Sequence, residues 1–298
     1  MCSEAILRIL VAMKQPLEKN WDWEISSRTA NWSWDIKSLL SYRHLLGSLV
    51  RKEFLLNYQQ TILGPGWILI QPLLTLVTYV LVFGMLIRIP TGEGVPPVLF
   101  YLAGIVLWNF FNDSFGTTSR TFREYIHIFT KVYFPRIIIP LASISTQFIR
   151  FLVQLLLLVL ILLYHIFFRG YSIQWGIALA GVPLAIAGVG LISLAMGLIF
   201  SVLTAKYRDI VNIVDVSIRL LFFVTPVVYP LATVREDLRW IVKLNPLTPF
   251  FELFRLGILG RGTVDTGDLV YSSVFMLVSF VLAVYMFNKQ GSKLIDVV

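Results

Sequence analysis

Long apolar stretches constrain the fold of this chain more than any other feature of its sequence. We identify six, at about 67–87, 97–115, 137–168, 175–204, 209–230 and 268–287. About 20 apolar residues in a helix cross the roughly 30 Å hydrocarbon core of a bilayer. Hydrophobic residues make up 57% of the 298 residues and charged residues 14%, whereas a soluble domain carries about 25% charge. The sequence therefore predicts an all-α polytopic membrane protein with six transmembrane helices.

The positive charges between the spans predict its orientation. If the N-terminus is cytoplasmic, sixteen Lys and Arg residues fall in cytoplasmic segments and seven in outer segments. Cytoplasmic loops carry such an excess, so both termini are expected in the cytoplasm. The net charge of +8 is explained by loops that face anionic lipid. Because the sequence contains no basic run, we expect no nucleic-acid partner.

The sequence shows no catalytic or metal-binding pattern. The three histidines fall on separate segments, and the single cysteine, Cys2, excludes a disulfide within the chain and a cysteine-rich metal site. The phosphate loop GxxxxGK[ST] is absent. We therefore expect no metal and no cofactor in this chain, and any ATP must be bound by another chain.

Tryptophans are concentrated at 21–34, at the end of the N-terminal segment, 1–33, and just after it. Trp21, Trp23, Trp32 and Trp34 are half of the eight tryptophans in the chain. Tryptophan is enriched where membrane meets water, which favours anchoring at the lipid headgroups. A docking surface for another protein is the alternative.

Residues 34–60 separate that segment from the transmembrane domain, 61–298. Apolar residues at helical spacing, with Lys37 and Arg43 on the opposite face, predict an amphipathic helix at 36–58. A basic amphipathic helix beside a span is typical of a helix that lies in the membrane interface.

Two further regions carry the signals of short helices outside the spans. A capping-box pattern at Thr121 predicts a cytoplasmic helix within about 119–135. A similar pattern at Thr233, followed by a cap at Thr248, predicts two outer re-entrant helices within about 232–262.

Polar residues recur along one helix face in three of the spans. Spacings of three and four residues place them on one side of a helix, and polar groups are costly in lipid. They form either a polar path through the membrane or hydrogen-bonded contacts between helices, and Asp215 is predicted to pair with Arg150 or Arg219. The stripes are Trp67, Gln71, Thr75 and Thr78, then Ser143, Gln147, Arg150 and Gln154, then Arg208, Asn212, Asp215 and Arg219.

Aromatic residues in the second and fifth spans add apolar faces on which sugar rings could slide, or they belong to the ordinary interfacial belt. Combined with the polar stripes, they give the candidate channel-lining residues. These are Trp67, Gln71, Thr75, Tyr101, Trp108, Gln147, Arg150, Asn212, Asp215, Arg219, Phe222 and Phe223.

Six short motifs occur in one order along the chain. They are WDIKSLLSYRHLL at 34–46, YQQTILGPGWILIQPL at 58–73, KVYFPRIIIPL at 131–141, YRD at 207–209, TPVVYP at 225–230 and LNPLTP at 244–249. In this order and topology, the chain resembles the permease subunits of ABC exporters for O-antigen, capsule or teichoic-acid polymers, of the Wzm and TagG type.

That resemblance implies a homodimer in a bacterial cytoplasmic membrane, in contact with membrane lipid and with two ABC ATPase subunits that bind ATP-Mg. It implies a polysaccharide linked to polyprenyl diphosphate as the substrate. The helix at 36–58 would be an interface helix and the helix at 121–134 a coupling helix seated on the ATPase. The implied coupling residues are Arg120, Arg123, Glu124, His127 and Lys131, and the implied outer-gate residues are Pro246, Pro249 and Phe250. The alternatives are a drug exporter of the same superfamily and a membrane-embedded glycosyl or acyl transferase.

Overall fold

The computed structural model describes residues 40–92, 94–129, 134–171 and 175–295, without the side chains of Trp175 and 290–295. Within these ranges all regular structure is helical. Three predicted features lie outside the described residues. They are the Trp-rich segment, the first residues of the predicted interface helix (36–39), and Lys131. The helices are α1 (Arg43–Tyr58), α2 (Trp67–Tyr79), α3 (Pro97–Ser119), α4 (Thr121–Glu124), α5 (Ile126–Phe129), α6 (Ile138–Arg169), α7 (Trp175–Lys206), α8 (Ile210–Val224), α9 (Glu236–Leu244), α10 (Thr248–Leu259) and α11 (Thr266–Ile295). A 3₁₀ turn, Gly64–Gly66, precedes α2, and a π-helical segment, Val80–Leu86, extends it.

Five helical segments of the described chain are long and apolar enough to cross a membrane. They are Gly64–Leu86, Pro97–Ser119, Ile138–Arg169, Gly176–Lys206 and Thr266–Lys289. Helices satisfy every backbone polar group internally, as a lipid environment requires. The chain is an all-α polytopic membrane protein, as its sequence predicts.

The stretch predicted as a span at 209–230 forms a shorter helix than expected. α8 has 15 residues, which is about 22 Å at 1.5 Å per residue and less than the thickness of the hydrocarbon core. It ends at Thr225, whose backbone is extended (φ −84°, ψ 135°). Pro226 follows, and a proline disfavours helical backbone in the residue before it. That the chain crosses the membrane a sixth time stays a prediction. This crossing would be formed by α8 together with the non-helical residues that follow it.

α3 is the central helix of the bundle. Sixteen of its 23 residues are buried, and it contacts α2, α6, α7, α8 and α10. It lies close to α7 at Gly197, where an added Cβ atom would come within 2.5 Å of the Cβ atom of Thr118. Glycine thus lets the two backbones lie close together, which is how helices pack in lipid.

The two ends of the bundle each contain an arginine, and we call them the Arg120 end and the Arg255 end. The Arg120 end holds the end of α3, α4, α5 and the start of α8, and α1 packs along α6 there. Its apolar contacts include Phe122 of α4 stacked on Phe287 of α11, with ring centroids 4.7 Å apart. The Arg255 end holds α9 and α10.

The single helix predicted within 119–135 is instead two separate turns, α4 and α5. The break is at Tyr125, whose backbone leaves the helical region (φ −107°, ψ 15°). The predicted cap is also wrong, since no side chain caps α4. The Thr121 hydroxyl is buried and makes no hydrogen bond.

Two short helices, α9 and α10, fall in the region where the sequence predicts outer helices, but their predicted caps are wrong. α9 begins at Glu236 without a side-chain cap, and the Thr233 hydroxyl donates to the carbonyl of Pro230 instead (2.8 Å). Thr248 is the first residue of α10 rather than its cap. Its hydroxyl donates to the carbonyl of Val242 (2.6 Å) and so ties α10 to α9.

Candidate functional site

α2 and α8 both pack against α3 and meet there through aromatic rings. The Phe222 ring of α8 lies 5.3 Å from the Trp108 ring of α3 and 6.1 Å from the Tyr79 ring of α2, centroid to centroid. Trp108 is almost fully buried and Phe222 is partly buried. Through these rings α8 packs against both α2 and α3.

The remaining surface of α2 and α8 is exposed, and it mixes polar and aromatic side chains with apolar ones such as Leu74 and Val216. Trp67 is 42% exposed and Phe223 67%. Thr75 and Asp215 are partly exposed. We call the exposed polar and aromatic residues of the two helices the α2–α8 surface: Trp67, Gln71, Thr78, Asn212, Arg219 and Phe223.

The polar stripe of α6 has a different environment. Gln147 is only 2% exposed, and Ser143 and Gln154 are also buried. Gln154 accepts a hydrogen bond from the side-chain amide of Asn109 on α3 (3.3 Å). These groups hold helices of one subunit together, so this stripe does not continue the α2–α8 surface. Tyr101, another candidate lining residue, is likewise enclosed.

The predicted pairing of Asp215 with Arg150 or Arg219 is wrong. Asp215 forms an ion pair with Arg120, the residue after α3 (2.5 Å). Arg150 instead lies 3.5 Å from Asp113 on α3, while Arg219 is exposed. The prediction chose the partners of Asp215 by their depth along the predicted spans. The pairing instead depends on which residues of α3 face α6 and which face α8.

Arg150 has further contacts that fix its position. Its guanidinium donates to the side-chain oxygen of Gln147 (2.9 Å) and lies 5.9 Å from the centroid of the Tyr58 ring on α1. Asp113 accepts a hydrogen bond from the neighbouring Asn112 side chain (2.8 Å). A charge inside a span is expected to be paired in this way. An acid in the second apolar stretch was the sequence signal for Asp113, and it was missed.

Glu53 connects α1 to α6. The hydroxyls of Ser143 and Thr146 donate to its carboxylate (3.3 and 3.5 Å). Burial raises the pKa of Glu53, against the hydroxyl hydrogen bonds that lower it, and nearby Glu124 raises it further. Burial, with Glu53 and Glu124 close by, raises the pKa of Tyr125 to about 12. α1 and the α4–α5 segment therefore share one acidic environment against α6.

The α4–α5 segment presents charged residues to the surrounding medium. Arg123, Glu124 and His127 are exposed, whereas Phe122 and Phe129 anchor the segment in the apolar cluster at this end. Arg120, predicted to act with the exposed residues, is instead occupied by its ion pair with Asp215.

A buried ion pair at the Arg255 end was not foreseen from the sequence. Arg255 is 2% exposed and lies 3.4 Å from Glu252, one turn earlier on α10. Its guanidinium donates to the carbonyls of Val227 (2.6 Å) and Tyr229 (3.3 Å). Acid and base three residues apart in the otherwise apolar TPFFELFRLGIL were the available signal.

The same pair organises the chain around it. Glu252 accepts hydrogen bonds from the backbone amides of Leu231 (3.3 Å) and Thr263 (3.1 Å). The Arg255 guanidinium lies 4.0 Å from the centroid of the Phe100 ring on α3. One ion pair therefore joins α10 to α3 and to the segment that follows α8.

The candidate gate residues lie beside this network. Pro249 and Phe250 are buried and Pro246 is partly buried. The Phe250 ring packs so closely against Gly188 of α7 that a Cβ atom there would overlap it. Phe250 thus packs inside the subunit.

The burial of the polar stripes leads to an expected labelling pattern. In a Cys2→Ser background, Gln71→Cys and Asn212→Cys are expected to react with a water-soluble maleimide because both positions are exposed and polar. Gln147→Cys should stay unreacted because the subunit encloses it. Leu282→Cys is the control, since a thiol at an exposed apolar position on α11 faces lipid, where thiolate does not form. Protection of both Gln71→Cys and Asn212→Cys would contradict a water-accessible α2–α8 surface.

Within the described residues, five apolar helical segments long enough to cross a bilayer identify a multi-pass membrane protein. The ABC-2 type transporter family profile matches residues 44–259. The chain belongs to that family.

Curated relatives have similar lengths. Over 249 residues the chain is 27% identical to the O-antigen export system permease protein RfbA of Klebsiella pneumoniae, covering 82% of this chain and 91% of the relative. Over 216 residues it is 31% identical to a protein of the same name from Myxococcus xanthus, covering 71% of this chain and 79% of the relative.

Proposed function

We propose that this chain is the channel-forming permease subunit of an ATP-driven exporter that moves lipid-linked O-antigen polysaccharide across a bacterial cytoplasmic membrane. Similarity to O-antigen export permeases over 82% of the chain supports the substrate class. The observation that carries the channel role is the α2–α8 surface. Polar residues on a membrane helix are stable only against water or another polar surface.

Two copies of the chain would bring their α2–α8 surfaces together around the substrate. Gln71, Asn212 and Arg219 would meet the hydroxyl and phosphate groups of a lipid-linked sugar, and Trp67 and Phe223 would offer apolar faces to its rings. Gln147, Arg150 and Tyr101 would support the channel from within each subunit.

ATP would be bound and hydrolysed by two separate ATPase subunits, and this chain would hold no cofactor. The α4–α5 segment is the proposed contact, because it combines exposed charges with a firm apolar anchor. The ATPases are cytoplasmic, so the Arg120 end would face the cytoplasm, with both termini there. α9 and α10 would then lie at the outer face.

Co-expression with the ABC ATPase of an O-antigen exporter tests the proposal. We expect the two proteins to purify together and to export O-antigen polymer when the polymer-synthesis genes are present. Glu124→Lys on the exposed face of α4 should lower export and ATPase activity in the complex roughly tenfold, because reversing a charge at a contact opposes association. Membrane insertion should be unchanged.

The matched control for Glu124→Lys is Glu236→Lys, an exposed acid in the first turn of α9 at the Arg255 end. It should leave ATPase binding intact. Tight ATP binding by the chain alone, or export of a small drug but no polymer, would contradict the proposed function.

A further inference from the structure

α8 is held to the rest of the subunit by few contacts. Only Val214 and Ile218 of its 15 residues are buried, and its principal helix contacts are with α3 and α7. It also carries half of the α2–α8 surface. A helix with so little buried area can change position at low cost, so any single strong contact strongly influences where it lies.

The ion pair between Arg120 and Asp215 is such a contact. Arg120 closes α3 and precedes α4, and 95 positions separate it from Asp215. The side chains are 35% and 37% exposed. A charge-assisted hydrogen bond is stronger than one between neutral groups in the same setting. Partial access to water weakens it and allows it to shift with the helices.

Arg120 is also fixed to the α4–α5 segment. Its carbonyl accepts the backbone amide hydrogen bond of Glu124 (3.0 Å). Phe122, two residues later, stacks on Phe287 of α11 and lies 5.3 Å from Phe129 of α5, centroid to centroid. A displacement of α4 therefore carries Arg120 with it.

The other ion pair of α3 gives a contrast. Asp113 lies seven residues before Arg120 and pairs with Arg150 on α6. α6 is a 32-residue helix with 11 buried residues, and it packs against both α1 and α3. The Asp113 contact joins helices that several other contacts hold, whereas the Arg120 contact reaches α8, which has two buried residues.

We propose that the Arg120–Asp215 ion pair is the tether by which movement of the α4–α5 segment positions α8 and its channel surface. Arg120 and Asp215 are then positioning residues for transport. This inference rests on the proposed function because it takes the α4–α5 segment as the ATPase contact. Neutralising either partner should leave the ATPase seated and active but remove its control over α8.

Nucleotide-dependent labelling tests the tether directly. In the complex of Cys2→Ser, Asn212→Cys chain with its ATPase, the rate of maleimide labelling at Asn212→Cys is measured without nucleotide and with ATP. Coupling between sites corresponds to roughly 5- to 150-fold changes in equilibrium, so we expect ATP to change the rate at least about fivefold. With Asp215→Asn or Arg120→Gln added, ATP should change it less than about twofold. The exchange Arg120→Asp with Asp215→Arg should restore the response.

Asp209→Asn is the matched control, since it removes the same charge from an exposed residue just before α8. It should keep the full response to ATP. A full response in Asp215→Asn, or none in the parent complex, would overturn the tether. Failure of the unmodified complex to export polymer, with the labelling pattern intact, would instead refute the proposed substrate and leave the tether standing.

Discussion

Arg255→Met is expected to destabilise the subunit by about 3–5 kcal/mol, the usual cost of removing one partner from a buried ion pair. The change leaves the Glu252 carboxylate buried without its counter-charge. It also removes the donors to the carbonyls of Val227 and Tyr229. The thermal unfolding midpoint of the purified protein in detergent, with the yield of folded protein, measures the effect.

Arg235→Met is the matched control for that variant. Arg235 also pairs with a nearby acid, Asp237 (2.8 Å), but its side chain is 78% exposed. Exposed ion pairs contribute little to stability, so its unfolding midpoint should match that of the unmodified protein. If Arg255→Met unfolds within a degree of the unmodified protein as well, the buried pair does not hold the Arg255 end together.

Gly104→Val is expected to be the second most damaging change, because its side chain has no space. An added Cβ atom would overlap the carbonyl oxygen of Val227 and lie 3.2 Å from the Arg255 guanidinium. A backbone carbonyl cannot turn aside as a side chain can. Overpacking typically costs about 1–3 kcal/mol and occasionally more, and we expect the upper part of that range in the same unfolding measurement.

Gly116→Val on the same helix controls for the general effect of valine in place of glycine. A Cβ atom at Gly116 meets no atom within 4 Å, so its stability should stay close to that of the unmodified protein. Equal loss in the two variants would show that helix propensity, rather than the approach of Val227, governs the result.

Local signals in the sequence predicted the helices well but not how far each extends. The apolar stretch at 97–115 predicted the helix that runs from Pro97 to Ser119, although its last turn is polar and was left out. Pro226 signals the end of α8 at Thr225. The predicted span nevertheless continues to 230, because most residues after Pro226 are apolar. Hydropathy reports where a chain can be buried, whereas proline reports whether it can stay helical.

The pairing of charges could not be predicted from local pattern. Asp215 and Arg120 are neighbours only because α8 and the end of α3 pack together, and no periodicity joins positions 95 residues apart. For the same reason the stripe of Gln147 and Gln154 looked like that of Asn212 and Arg219. The spacing fixes a helix face, and only the arrangement of neighbouring helices decides whether that face meets water, lipid or protein.

The length of α8 has a consequence for the surrounding bilayer. α8 alone, at about 22 Å, is roughly 8 Å shorter than a 30 Å hydrocarbon core. Lipid beside it would have to thin, at a cost of a fraction of a kcal/mol for each ångström, or would have to meet the non-helical backbone that follows α8. Covering α8 with protein or a hydrated substrate avoids that elastic deformation. Membrane thickness itself therefore favours an assembly in which α8 is turned away from the lipid, independently of any specific contact between subunits.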